Sequence, residues 1–229
     1  MPHTKNNPGI KFENVMVFGF ESAIRGMRNP FESWNQSDSL FYDKYAPVDI
    51  EWNSNRRISE FPILGENDLK LAQKLIRRGS SHSKFLRQIM VWVDLTLPLY
   101  VWTELDTYKV GTVRNSCSTM NKLGRRDITK EDFAFGEVDE NILNIFNKLS
   151  KEYMESENKD FEIIRRLKRM LPSGYLLKST FMASYETWLT MYSERVNHRL
   201  PEWNSKDNQT YSITRFIYSL PYMSKFLES

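Results

Sequence analysis

Residues 102–120 read Trp-Thr-Glu-Leu-Asp-Thr-Tyr-Lys-Val-Gly-Thr-Val-Arg-Asn-Ser-Cys-Ser-Thr-Met. They bring two acids, an amide, many hydroxyls, a lysine, an arginine and the only cysteine of the chain into one short run. The run follows an apolar stretch. A fold gains little from polar groups beside its core, because each buried one needs a hydrogen-bond partner; a ligand site gains from them directly. The small polar side chains of 112–119 can bond a base, a sugar or a phosphate without crowding it. They can equally form a polar turn that caps neighbouring backbone. Cys117 would be a nucleophile if a cation lowered its pKa, and Lys109 and Arg114 are near it in sequence. The plainer reading is a small buried thiol.

Two further groups can carry chemistry. Arg195, His198 and Arg199 stand together where a long helix would end, and cations there are favoured by the helix dipole. The functional reading is a clamp, since guanidinium forks match phosphate and imide oxygens. Gly79-Ser80-Ser81-His82-Ser83-Lys84 could present backbone amides to an anion at a helix start, or could be an ordinary capped junction. Arg165, Arg166 and Lys168 read as a solvated helix face. The three histidines, His3, His82 and His198, are far apart and form no zinc-type spacing.

These groups need a scaffold, and 229 residues can bury a sizeable core. With 40% hydrophobic and 14% aromatic residues the composition is globular, which argues against disorder. A net charge of +3 from 32 basic and 29 acidic residues does not indicate a nucleic-acid coat, so no direct nucleic-acid partner is expected. One cysteine excludes an internal disulfide and fits a reducing, cytoplasmic setting. No secretory segment is visible at the start, and the longest apolar stretch, around 89–102, is interrupted by Asp94 and too short to span a bilayer.

Periodicity predicts a strand over 11–19 and a short helix over 21–27. An irregular covering segment over 31–62 follows. Helices are predicted over 66–78, closed by Gly79, and over 82–87. A central strand is predicted over 88–95, because both of its faces are largely apolar. A helix from Pro98 to about Tyr108 would place Trp102, Asp106 and Lys109 on one stripe and Glu104 with Tyr108 on another. Three helices are predicted over 139–155, 160–170 and 180–199. The last would have Phe181, Trp188, Leu189, Tyr192 and Val196 inward. A short helix over 213–220 ends the chain. The 122–134 region reads as a polar link. The fold class is α+β: a sheet with flanking helices in a single domain over 1–229, with an N-terminal strand and covering loop over 1–65, a core over 66–203 and a C-terminal extension over 204–229.

The order of these groups resembles the flavin-dependent thymidylate synthases of the ThyX type. That family has a His in a Gly/Ser-rich turn before a strand, then a helix and the signature RHRxxSxNExSxR. A later Leu-Pro precedes a long helix ending in a nucleotide-binding Arg. Here His82, the strand over 88–95, the helix from Pro98, the run Thr107 to Thr119, Leu171-Pro172 and Arg195 follow in that order. Thr107, Tyr108 and Lys109 stand at Arg-His-Arg, and Thr112 at the first Ser. Arg114 and Asn115 stand at Asn-Glu, Cys117 at the second Ser and Thr119 at the last Arg. Glu104 stands at a family glutamine and Ser184 at a flavin-contacting Asn. The resemblance covers roughly residues 66–203.

The resemblance implies a ThyX-like sheet with flanking helices and a homo-oligomer, a tetramer, whose sites are shared between subunits. It implies FAD held by His82, Thr107, Tyr108, Lys109, Thr112, Arg114 and Ser184. It implies a pyrimidine deoxynucleotide faced by Glu104, Asn115, Ser116, Cys117, Thr119 and Arg195, with Arg195 assisting its activation. NADPH and methylene-tetrahydrofolate are the implied co-substrates for conversion of dUMP to dTMP. The family uses no cysteine nucleophile, so attack by Cys117 would be particular to this branch. The alternatives are a diverged nucleotide-binding relative, non-catalytic or acting on another pyrimidine nucleotide in phage or host metabolism, and a structural protein that keeps only the fold.

Overall fold

A computed structural model of the chain describes residues 9–41, 62–157, 160–204 and 211–229. The first half contains β1 (Lys11–Phe18), α1 (Phe20–Arg28), β2 (Leu40–Phe41), β3 (Pro62–Ile63), α2 (Glu66–Arg77), a 3₁₀ turn (Lys84–Arg87), β4 (Met90–Pro98) and α3 (Leu99–Leu105). The second contains β5 (Thr112–Ser116), α4 (Thr119–Lys122), α5 (Glu140–Glu155), α6 (Phe161–Met170), β6 (Leu176–Ser184), α7 (Tyr185–Arg195), α8 (Ile213–Tyr218) and α9 (Met223–Leu227).

The main sheet is antiparallel with strand order β1-β4-β6-β5. β4 and β6 pair without a slip from Met90↔Ser184 to Pro98↔Leu176. Side chains alternate across a strand, and here the alternation separates two different surfaces. Val91, Val93, Leu95, Leu97, Leu177, Phe181 and Ala183 point into the main core with Val15 and Val17, all buried. The other face carries two cross-strand rows. Met16, Trp92, Met182 and Val113 form an apolar row across all four strands, and Glu13, Asp94, Thr180 and Asn115 form a polar one. Met16, Phe18 and Val113 on this face are exposed. Asp94 accepts from Asn14 Nδ2 at 2.8 Å and from Thr180 Oγ1 at 2.6 Å. Burial alone would raise the pKa of Asp94, but these bonds and Lys178 outweigh it and lower the pKa.

A second buried cluster joins α5 and α6 through Leu143, Phe146, Leu149, Ile164 and Leu167, with Phe133 and Tyr175. Asp139 and Asp160 cap these two helices by accepting from Asn141 N and Glu162 N.

The N-terminal segment is tied down by one buried carboxylate. Asp68, in the first turn of α2, accepts from Arg28 Nε at 2.6 Å, Ser37 Oγ at 2.7 Å and Ser39 Oγ at 2.6 Å. Asp38 returns the favour by accepting from the backbone N–H of Asn67 and Asp68, which caps α2 from outside its own sequence.

Gly19 joins β1 to α1 with φ +96°, and a Cβ there would lie 2.2 Å from the carbonyl oxygen of Gln88. The left-handed backbone alone costs an L-residue about 1–2 kcal/mol, and a backbone carbonyl cannot swing aside as a side chain can. Gly19→Ala is therefore expected to lower stability by at least about 2 kcal/mol, read as a lower urea midpoint.

Several expectations are corrected. The predicted helix over 180–199 is a strand to Ser184 and a helix only from Tyr185. The 112–116 part of the polar run is an edge strand, β5, paired with β6. The helix after Pro98 ends at Leu105, so Lys109 lies outside it and the predicted Trp102–Asp106–Lys109 stripe does not form. The central strand runs Met90–Pro98, and the segment after His82 is a 3₁₀ turn. Helices α2, α5 and α6 lie where periodicity places them. Of the predicted covering segment, residues 42–61 lie outside the described residues. Among the described residues no helix is long and apolar enough to cross a membrane.

Candidate functional site

Two groups of the sequence-predicted residues lie toward the two ends of α7, and Arg114, Asn115, Ser116, Cys117 and Thr119 stand apart from both. Strand β6 runs into this helix without a loop, and Ser184 is both the last strand residue and the N-cap, accepting from Thr187 N at 3.3 Å. Eleven residues of α-helix span about 16 Å, so the two ends are separate places.

At the first turn, Thr112 pairs with Ala183. Thr187 Oγ1 donates to the Val110 carbonyl at 3.3 Å. Arg87 forms an ion pair with Glu186 at 2.6 Å and donates to the Ser80 carbonyl at 3.1 Å, which ties the turn carrying His82 to the same place. His82 and Lys109 are exposed, and no side-chain hydrogen bond engages either among the described residues. Thr107 and Thr112 donate to the carbonyls of Glu104 and Tyr108, each at 2.7 Å, so the segment 107–112 runs from the Glu104 side to the first turn, and both hydroxyls keep oxygen lone pairs free to accept.

At the last turn, Arg195 is held by α3 and the residue three beyond it. Its Nε donates to Tyr108 Oη at 3.1 Å and its Nη1 to Glu104 Oε2 at 3.1 Å. The same carboxylate oxygen accepts from Trp203 Nε1 at 2.8 Å and lies 3.5 Å from His198 Nε2. His198 Nδ1 accepts from Leu200 N, which leaves Nε2 to carry the proton of a neutral ring. The guanidinium also lies 5.0 Å from the ring of buried Trp203. Tyr108 Oη donates onward to Glu194 at 2.7 Å. Burial first, and then this bond to Glu194, raises the Tyr108 pKa, against the opposing pull of Arg195. The side chains of Arg195 and Glu104 keep 21% and 31% exposure, so solvent and a ligand can reach them.

Arg114 belongs to neither end. Its guanidinium lies 3.9 Å over Trp102 and donates to Asp106 at 2.6 Å and to Ser179 at 3.2 Å. Ser116 Oγ accepts from Ser179 Oγ at 2.9 Å, and Cys117 N donates to the Lys178 carbonyl at 2.9 Å. Asn115 stands on the open sheet face, and Thr119 opens α4. Among the described residues, none of Asn115, Ser116, Cys117 and Thr119 bonds to the Arg195 cluster within this chain.

Sequence reasoning missed Trp203, Glu194 and the Tyr100–Glu202 pair. Tyr100 donates to Glu202 Oε1, and Glu202 is fully buried with Oε2 unpartnered among the described residues. Burial first, then Glu202, pushes the Tyr100 pKa far above its ordinary value. Tyr100 and Glu104 are one helical turn apart on α3, and that spacing was the available signal. Trp203 lies across a loop, where no periodicity reaches.

No family model and no curated relative matches the sequence. Solved structures do match. The flavin-dependent thymidylate synthase ThyX from Helicobacter pylori, complexed with FAD and dUMP, superposes with a TM-score of 0.59 at 14% identity, over 93% of this chain and 97% of that one. A second structure of Helicobacter pylori ThyX with FAD and dUMP gives 0.56 at 13% identity, over 93% and 96%. The fold is ThyX-like. Within it, α7 is the element that relates the two groups of predicted residues, one at each of its ends.

Proposed function

We propose that the chain is a pyrimidine-nucleotide C5 one-carbon transferase of the ThyX type, acting on a deoxyuridylate-like substrate. The observation that carries this reading is Arg195: on a ThyX-like fold, a reachable guanidinium is fixed in plane by Glu104 and Tyr108 at the end of α7. Such a fork can donate to a pyrimidine carbonyl and stabilise negative charge that develops on the ring during attack at C5. Trp203 and His198, which share Glu104 with it, keep the fork from rotating.

The groups on the His82 turn and on the segment 107–112, which links the two ends of α7, suit a flavin. Lys109 offers a cation to a diphosphate, Thr107 and Thr112 offer acceptors to ribityl hydroxyls, and His82 offers a ring to the isoalloxazine edge. Ser184 is spent as a helix cap and Arg114 on Asp106, so they would act by shaping the site. Bound FAD, reduced by NADPH, would supply the electrons that convert a transferred methylene to a methyl group, with methylene-tetrahydrofolate as the one-carbon donor. Asn115, Ser116, Cys117 and Thr119 would complete the nucleotide site of a neighbouring copy. The open sheet face, with its exposed Met16, Phe18 and Val113, supports self-association into a homo-oligomer, since apolar patches of this kind mark contact surfaces.

The test is direct. The purified protein should be yellow or become so with FAD, and dUMP should raise its melting temperature. A hundredfold excess over Kd contributes about 2.7 kcal/mol, or roughly 5–10 °C for a chain of this size. Arg195→Ala should weaken dUMP binding about 10- to 100-fold, the loss of a charge-assisted hydrogen bond. Colourless protein with a full dUMP shift would favour the diverged, flavin-free nucleotide binder, and no response to either ligand would leave only the fold.

A further inference from the structure

The Arg195 end of α7 has the form of an anion clamp, and its charges say otherwise. Arg195 is already 3.1 Å from one carboxylate oxygen of Glu104. A second carboxylate, Glu194, is joined to Arg195 by two hydrogen bonds through Tyr108 Oη. The formal charge of Arg195, Glu104 and Glu194 together is negative. A phosphate approaching Arg195 would have to displace Glu104 while facing Glu194. Like charges at this range are unfavourable even where solvent screens them.

The groups left open fit a different ligand. Glu104 Oε2 takes all the bonds to that side chain, and Oε1 accepts none among the described residues. Arg195 uses Nε and Nη1, and Nη2 donates to none among the described residues. The same ion pair therefore keeps one open acceptor, Glu104 Oε1, and one open donor, Arg195 Nη2, and it is held in place and reachable. A neutral ring edge with an N–H next to a C=O satisfies both at once and leaves the charge balance intact. The imide edge of a uracil-type base is such an edge, with N3–H as donor and a ring carbonyl as acceptor.

We infer that Glu104 is the specificity-determining residue of this site: it converts Arg195 from an anion clamp into a reader of the uncharged N–H/C=O edge of a base and turns phosphate away. The inference rests on the reading of Arg195 as the base-binding residue. It adds that the phosphate of a nucleotide contributes nothing at this place and must be met elsewhere.

The experiment compares wild type with Glu104→Gln, whose shape is conserved, using deoxyuridine, 3-methyl-deoxyuridine and inorganic phosphate as separate probes in calorimetry. Wild type should bind deoxyuridine, should bind the 3-methyl analogue at least tenfold more weakly because its N–H is gone, and should show no phosphate binding that depends on Arg195. Glu104→Gln should lose about tenfold in deoxyuridine affinity and gain phosphate binding that Arg195→Ala abolishes. Equal binding of deoxyuridine and its 3-methyl analogue by wild type would overturn the inference, as would phosphate binding unchanged by Glu104→Gln. Wild type that binds no nucleoside at all would refute the transferase reading, while the phosphate comparison would still decide the role of Glu104. Circular dichroism of the variant separates lost binding from lost fold.

Discussion

Replacing Arg28 with Met is expected to remove about 3–5 kcal/mol of stability, because it leaves a buried carboxylate without its cation. Asp68 is fully buried and Arg28 nearly so. The change leaves Asp68 with only hydroxyl and backbone donors from Ser37, Asp38 and Ser39. The same site sets an acid limit. Burial pushes the Asp68 pKa up, and the bonds from Ser39, Ser37 and Arg28 together with the Arg28 charge bring it below its ordinary value of 3.8. A carboxylate with a lowered folded pKa contributes stability that is fully present above the unfolded pKa. That contribution is lost as pH falls through the folded value. Wild-type stability should therefore fall below about pH 4, and the Arg28→Met protein should show a shallower acid slope. Chemical denaturation of both proteins at pH 7 and pH 3 measures the difference, and parallel profiles would refute the assignment.

Trp188→Ala is expected to cost a similar amount, about 3–5 kcal/mol, and to impair ligand binding as well. Trp188 is fully buried on α7 and packs edge-on against Phe181 of β6 and Phe216 of α8, each at 5.5 Å between ring centroids. It is the wedge that seats α7 on the sheet, and α7 carries Arg195. Trp188→Phe is the informative control. The indole N–H of Trp188 is buried without a partner among the described residues, so removing it relieves an unsatisfied donor worth about 1–3 kcal/mol and offsets part of the smaller cavity. The Phe variant should lose well under half of what the Ala variant loses. If both lose equally, packing volume is not what Trp188 contributes.

The helices that lie on the surface were legible because solvent writes one side of them. In α5, the apolar positions Leu143, Phe146 and Leu149 recur at helical spacing between exposed polar residues. Strand β6 was illegible for the opposite reason. Its residues 176–184 include Lys178 and Ser179, and Phe181 with Trp188 has the seven-residue spacing of one helix face. The two rings do meet, but across a strand-to-helix junction rather than along one helix. Edge strand β5 hid in the same way, since a run of Thr, Arg, Asn and Ser has the composition of a turn. It pairs because β6 offers a free edge, which is a tertiary fact. At the site, Arg195, Tyr108 and Glu104 were legible as residue types that bind, while Trp203 and Glu202 depend on a loop closing over α3. That Glu104 spends one oxygen on Arg195 and keeps the other open is a matter of angstroms, and sequence does not carry it.

The absence of a loop between β6 and α7 has a consequence for how this protein can vary over time. A strand repeats every two residues and a helix every 3.6. One residue gained or lost between Leu176 and Tyr185 would turn over part of the sheet face. One gained or lost within α7 would swing Arg195 about 100° around the helix axis, away from Glu104 and Tyr108. Descendants of this chain can exchange letters in 176–195 freely at many positions, but they cannot change its length. Drift in this lineage should show as substitution here, with insertions and deletions confined to the stretches on either side.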